Sequence, residues 1–477
     1  VDAEEDSMTL TRPHEDRASE PMSSGADTIT VLDPRDGSLV GRIAMTPLEE
    51  IPATMARARA AAAGWAATAP EERGRRVRAA GELLAARADE LAALCQRETG
   101  RPYEEALGGV LAGAGTLTQY AELGPLQFGR RLRGSTDAVD YSIAEPRGVV
   151  VAVTPWNDPV AIAAGLLGAA LVTGNAVVHK PSERCPHLGE LLGEVLAAAF
   201  PDGVLTTVTG DARVGAALVD DDADVIAHVG STAAGEAIAR AALPRGIHVV
   251  RENGGNDALI VDDDVDPDWA AQQAVLGAYT NAGQLCTSVE RILVHSGIAE
   301  DFLDALVRRS QELTGALGPL VDDRARQNVH AHVTESLNQG ARALTGARIP
   351  SGNGTYYPPT VLVDCTPSMP VFDEETFGPI AAVRVVADFD EALALAAADR
   401  YGLSATVLTN SMQHAIAATR LPVGTVKVNG VFGGAPGGSA EPRGASGRGF
   451  GYGPELLGEF TTTKVVHLGI AQARSAR

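Results

Sequence analysis

From 51 to 99 the chain is rich in alanine, arginine and glutamate, and apolar residues recur every three or four positions, the spacing of an amphipathic helix. Pro70-Glu71-Glu72 interrupts this run and predicts the start of a second helix, since proline and carboxylates both suit a first helical turn. A further helical run covers 104–123. Between 131 and 145 the residues are polar with short alternation, as in Tyr141-Ser142-Ile143-Ala144, which predicts an exposed hairpin or protruding ribbon.

The pattern then changes. Apolar runs at 149–154, 176–180, 204–208, 224–229 and 248–252 read as strands, separated by helical stretches at 161–172, 191–200 and from about 232. Short β-branched runs alternating with longer helices predict a parallel, doubly wound sheet. A second α/β region begins near 257–261, with a helix at 269–279, a strand at 291–295, a helix after 299 and further elements to 426–429. The acidic string 262–266 lacks the ligand spacing of a calcium loop and reads as a solvated turn. The glycine-rich stretch 433–453 is compatible with either a mobile or a tightly folded loop, and 460–466 reads as a short final strand.

At 477 residues, 45 % of them hydrophobic, the chain exceeds the usual single-domain size, so two or more domains are expected. Its 52 glycines and only 4 % aromatic residues suit turns and close helix–sheet contacts, not an all-β sandwich. The 39 basic residues against 61 acidic ones give a formal charge of -22, which disfavours a nucleic-acid partner or an anionic membrane surface. No stretch is long and apolar enough for a spanning helix, so no membrane association is expected. Residues 1–25 are polar and acidic without a hydrophobic signal segment, and are expected to form a flexible leader. The cysteines at 95, 185, 286 and 365 form no CxxC pair, which favours reduced thiols and a cytoplasmic protein. His330 and His332 lack a third ligand, so no metal is expected.

Five features carry candidate chemistry. Cys286, in Asn281-Ala282-Gly283-Gln284-Leu285-Cys286-Thr287-Ser288, is a core atom, a metal or disulfide partner, or a nucleophile. Glu252 ends a strand before Asn253-Gly254-Gly255, a place for a general base or for a hydrogen-bonded turn. Asn157, in Thr154-Pro155-Trp156-Asn157-Asp158-Pro159, offers an amide to a developing oxyanion or simply shapes a turn. Gly230 and Ser231 sit between a strand and a helix, where backbone N–H groups can hold a phosphate. Lys180 and Glu183 follow their own strand, placed for ribose hydroxyls or for solvent.

Taken in order, these motifs resemble the NAD(P)-dependent aldehyde dehydrogenase superfamily: PWN with Asn157, KPSE at 180–183, GST with Gly235, Glu252 with its glycines, NAGQLC ending at Cys286, EETFGP at 374–379 and the FTTTKVV tail. The resemblance implies an aldehyde dehydrogenase-like α/β fold with a Rossmann-type cofactor domain, an α/β catalytic domain and protruding β oligomerisation elements. It implies a division into 26–133 and 154–252 for cofactor, 253–440 for catalysis, 134–153 and 458–477 for oligomerisation, and 441–457 as a connecting glycine-rich loop. It makes Cys286 the nucleophile, Asn157 an oxyanion ligand and Glu252 the base for thioester hydrolysis. Lys180 and Glu183 resemble adenosine-ribose ligands, Gly230 and Ser231 lie at the pyrophosphate, and Glu375 and Phe377 resemble the nicotinamide-ribose side. A carboxylate at Glu183 favours NAD over NADP, with NADP still possible. The expected assembly is a homodimer or homotetramer acting on a small-molecule aldehyde. Asp158 and Leu285 are substrate-tunnel candidates. Asp158 departs from the family's usual apolar residue, and is read in preference as a hydrogen-bonded loop carboxylate. Asn253, Asn256, Phe450 and Gly451 also depart from the common pattern. An NADP-preferring semialdehyde dehydrogenase and a non-catalytic scaffold of the same fold are the alternatives.

Overall fold

A computed structural model describes residues 28–126, 129–433 and 438–471. The leader expected at 1–25 lies outside them, as do 434–437 of the glycine-rich stretch and the end of the last segment. Among the described residues, a six-stranded sheet runs in the order Gly447–Arg448, His248–Glu252, Val225–Val229, Val149–Val153, Ala176–Lys180, Leu205–Thr207. Its pairs are parallel except at the Gly447–Arg448 edge. Helices cover both faces, which is why a central strand such as Val149–Val153 is an unbroken apolar run instead of alternating. Val150 and Ala152 pack into one apolar cluster while Val149 and Val151 face the other.

That burial corrects one boundary. The resemblance put 134–153 among the oligomerisation elements, yet Val149–Val153, already readable as a buried strand from its apolar run, is a central strand of the six-stranded sheet. The ribbon ends with Ala138–Pro146, which pairs with Thr461–Gly469 and with Arg131–Leu132 in a separate antiparallel sheet. Fully buried valines outweigh continuity in sequence, since each stabilises by about 1.5–3 kcal/mol in the core. The helix expected at 191–200 is Pro186–Ala197, because Pro186 suits the first turn and sets the earlier start.

The second sheet runs Arg342–Thr345, Thr360–Val363, Ile380–Val386, Val289–His295, Asp257–Val261, Ser404–Leu408, Thr425–Val428. It is parallel except at Arg342–Thr345, and its faces are again split: Ala258 and Ile260 on one side, Leu259 and Val261 on the other. The chain passes from one sheet to the other over 253–256, directly after Glu252. The candidate chemistry collects at this crossover. No helix among the described residues is long and apolar enough to cross a membrane.

Candidate active site

After the helix Pro267–Tyr279 the backbone turns through Asn281, Ala282 and Gly283 at φ of 50°, 54° and 74°. Left-handed backbone costs an ordinary residue about 1–2 kcal/mol, so the turn must be held from outside. Gln284, 1 % exposed, does this. Its amide donates to the Asn281 and Pro319 carbonyls at 3.0 and 3.3 Å, and its carbonyl accepts from the Val321 N–H at 2.9 Å. A Cβ at Gly283 would overlap the Gly378 carbonyl, so only glycine fits there. The turn delivers Cys286, half-buried, just ahead of the strand Val289–His295.

Cys286 Sγ lies 3.7 Å from Glu252 Oε1, its hydrogen-bond acceptor. Burial pushes the thiol well above its usual range, and the carboxylates of Glu252, Asp257 and Glu375 add to the effect. Burial likewise raises Glu252, opposed by the hydrogen bond from Cys286. Both groups therefore hold protons more tightly than in water. A Cβ at Gly451 would collide with the Glu252 carboxylate, so this glycine of the late loop makes room for the base. The loop is folded, not mobile, at this point: Gly447 and Arg448 pair with Glu252 and Arg251.

Asn157 is 6 % exposed, at the end of the strand Val149–Val153. Its side-chain amide makes no hydrogen bond with the described residues, and its main-chain carbonyl accepts two. One comes from Asn281 Nδ2 and one from Arg101 Nη1, each at 3.3 Å. Arg101 also pairs with Asp158 at 2.6 Å. Asp158 therefore stands as a paired loop carboxylate beside the helix Tyr103–Leu123, and Leu285 is half-buried next to Cys286. Arg101→Met strands Asp158, whose side chain is 26 % exposed, and should cost about 2 kcal/mol of stability. Adding Asp158→Leu should recover the melting temperature but not kcat, because the clamp on Asn157 stays lost. Full recovery of both would assign the pair to stability only.

The expected cofactor residues gather at the carboxyl ends of the first sheet. Lys180 is buried, donates to the Pro181 carbonyl at 3.0 Å and lies 3.9 Å from Glu183. Burial lowers its pKa, with Glu183 and Asp211 opposing. Ser231 caps the helix Thr232–Ala242 by accepting from the Ala234 N–H at 3.4 Å, and is exposed beside Gly230. The arrangement fits a dinucleotide: a buried amine and an exposed carboxylate at one strand end, an accessible helix N-terminus at the next, and His228, whose buried ring nitrogens have no hydrogen-bond partner among the described residues.

On the other side, Glu375 accepts from the Gly255 N–H at 3.1 Å, and burial pushes its carboxyl up to about 8. Phe377, at φ 54°, meets Trp156 edge to face with ring centres 5.7 Å apart. The N–H groups of Thr376 and Phe377 bind Glu290 at 3.2 and 3.0 Å. Glu290 holds the EETFGP turn at Thr376 and Phe377 and was missed in the sequence; a carboxylate inside the run 289–295 was its signal. Arg101 was also missed. It lies 56 positions from Asn157, and nothing local ties the two.

A family model described as the aldehyde dehydrogenase family matches residues 22–466. A betaine aldehyde dehydrogenase of Cereibacter sphaeroides is 37 % identical over 432 residues, covering 88 % of this chain and 87 % of that protein. A non-phosphorylating aspartate-semialdehyde dehydrogenase of Halomonas elongata is 33 % identical over 414 residues, covering 84 % of each chain. Among solved structures, a Staphylococcus aureus betaine aldehyde dehydrogenase in complex with NAD+ superimposes with a TM-score of 0.91 at 27 % identity, over 96 % of this chain and 95 % of that one. The chain belongs to the aldehyde dehydrogenase family, and it is an oxidoreductase that oxidises an aldehyde with a nicotinamide cofactor.

Proposed function

We propose that oxidation proceeds through an acyl group carried on Cys286 and released by Glu252. Sγ loses its proton to solvent and adds to the aldehyde carbon as the thiolate, with Glu252 Oε1 3.7 Å away and still ionised for the second half. The side-chain amide of Asn157 and the N–H of Cys286 donate to the resulting oxyanion. The nicotinamide, when bound, supplies the hydride acceptor. Oxidation leaves a thioester on Cys286, and ionised Glu252 takes a proton from the water that hydrolyses it to the acid and the free thiol. Lys180, Glu183, Gly230 and Ser231 would hold the adenosine and diphosphate side, and Glu375 and Phe377 the nicotinamide ribose. The Cys286–Glu252 contact carries this reading, because a core cysteine has no use for a raised carboxylate beside it.

The thiol's raised pKa gives the test a sign. Thiolate is scarce at neutral pH, so inactivation by iodoacetamide at pH 7 should be slower than alkylation of free cysteine. It should keep climbing through pH 9. A plateau below pH 8 would contradict the assignment.

The substrate is proposed to be an uncharged or cationic aldehyde. The names of the relatives point both ways, but the charge around the site does not: Glu252, Asp257 and Glu375 all bear on Cys286. The nearby arginines are paired already, Arg101 with Asp158 and Arg184 with Asp322. A panel of cationic, neutral and carboxylated aldehydes should show kcat/KM lowest for the carboxylated members; the reverse order would favour a semialdehyde enzyme. NAD is the proposed cofactor, because the Glu183 carboxylate would repel a 2′-phosphate. Glu183→Gln should shift the NAD-to-NADP ratio of kcat/KM towards NADP by roughly tenfold. An unchanged ratio would remove Glu183 from that role.

The proposed division is 26–133 and, with the boundary moved to take in Val149–Val153, 149–252 for cofactor, and 253–440 for catalysis, joined through 441–457. The proposed assembly is a homodimer or homotetramer built on the ribbon and the final strand. That strand lies at a sheet edge with Val465 62 % and Leu468 55 % exposed, an apolar edge that invites pairing. A cytoplasmic setting without a nucleic-acid partner agrees with the unpaired cysteines and the -22 charge.

A further inference from the structure

The register of the first sheet aligns an unusual row of side chains. Arg251 pairs with His228, His228 with Val153, and Val153 with Lys180 across four adjacent strands. Residues in register project to the same face of a sheet, so Arg251, His228 and Lys180 share one face at the carboxyl ends of parallel strands. It is the face that carries the helix Thr232–Ala242, since Val153 and Ile238 pack into the same apolar cluster. His228 is 4 % exposed, and among the described residues neither ring nitrogen has a hydrogen-bond partner. Two orphaned nitrogens in a buried ring are costly unless something pairs with them. The ring lies directly beneath the turn into that helix, where a Cβ at Gly230 would stand 2.8 Å from Cε1 and 3.1 Å from Nε2.

We propose that His228, flanked by Arg251 and Lys180, is a binding residue for the diphosphate of the dinucleotide, donating a ring N–H to a phosphoryl oxygen at the N-terminus of the helix Thr232–Ala242. This rests on the cofactor reading above. The charge logic is consistent. Burial holds the imidazole neutral, its pKa lowered to about 4; the Ser231 backbone, the next largest influence, opposes it, and the positive charges of Arg251 and Lys180 add to the lowering. A neutral imidazole still offers one donor and one acceptor, and the two fixed cations supply attraction for a doubly charged diphosphate. Arg251 is otherwise engaged only loosely, donating to the Gly235 carbonyl at 3.5 Å, and Lys180 faces Glu183 and Asp211. Neither the strand pattern Val225–Val229 nor the Gly-Ser-Thr turn points to the row; the pairing register does.

The test is direct binding, read by calorimetry on the full chain with NAD, NADP, ADP-ribose and adenosine as probes. His228→Phe keeps ring size and removes both nitrogens. It should weaken NAD and ADP-ribose by roughly tenfold, the worth of a hydrogen bond to a charged group, and leave adenosine unchanged. His228→Gln, which keeps a donor, should recover part of the loss. Equal affinities for wild type and His228→Phe would overturn the proposal. So would a loss shared by adenosine, which reports a collapsed pocket, or a loss confined to NADP, which moves the contact to the 2′-phosphate. Should His228→Phe fail to fold, the wild-type protein labelled with ¹⁵N-histidine decides. The His228 ring resonances, assigned through His228→Gln, should shift with ADP-ribose and not with adenosine, and an unmoved signal overturns the assignment. Wild-type protein that binds none of the probes would instead defeat the cofactor reading itself.

Discussion

Replacing Cys286 by alanine is expected to lower steady-state aldehyde oxidation by roughly 10⁴-fold or more, with cofactor affinity and melting temperature unchanged. The size follows from what the side chain does. Without the sulfur no covalent adduct forms, and the remaining groups can only polarise an aldehyde that has no nucleophile. The unchanged fold follows from the setting. The Asn281–Gly283 turn is held by Gln284 and its three hydrogen bonds, not by Cys286, whose side chain bonds to Glu252. Stopped NADH production with retained NAD binding would show both. Residual turnover within about tenfold of wild type would remove Cys286 from the nucleophile's role.

Glu252→Gln is expected to separate the two halves of the reaction. The first turnover should still release about one NADH per site, and the steady state should fall by roughly 10²–10⁴-fold, the usual range for loss of a general base. Glutamine can accept the thiol's hydrogen bond but cannot take a proton from water. The pH profile supplies a second check. Burial raises Glu252 above the ordinary carboxylate value, so the wild-type rate should fall as pH drops through that raised value. The limb should lie above pH 4.5 and vanish in the glutamine variant. A variant with an unaltered steady state would exclude Glu252 as the base.

The doubly wound sheet was legible because both of its faces are buried, so strands such as 149–153 and the start of 176–180 are apolar in unbroken runs. The alternation of short strands with helices was equally plain. The limit of the ribbon was legible too, polar over 131–145 and apolar from 149, and only the division implied by the resemblance carried it on to 153. At the site, motifs carried in one stretch of chain were legible: the Asn281–Cys286 turn, Glu252 before its glycines, Asn157 between two prolines. What stayed hidden depends on contacts between distant segments. Arg101 reaches Asn157 and Asp158 only once the helix Tyr103–Leu123 packs beside that loop. Gly451 reveals its purpose only when the late loop pairs with the strand His248–Glu252. The row of Arg251, His228 and Lys180 exists only in the register of strands far apart in sequence.

The central claim is that Cys286 carries the acyl group and Glu252 releases it. Intact-mass measurement of the Glu252→Gln protein, quenched after mixing with NAD and an aldehyde it oxidises, tests this most directly. The mass should rise by that of the acyl group, located on Cys286 by peptide mapping, while wild type under turnover shows little adduct. An unmodified Cys286 in the variant, alongside a normal first burst of NADH, would contradict the account.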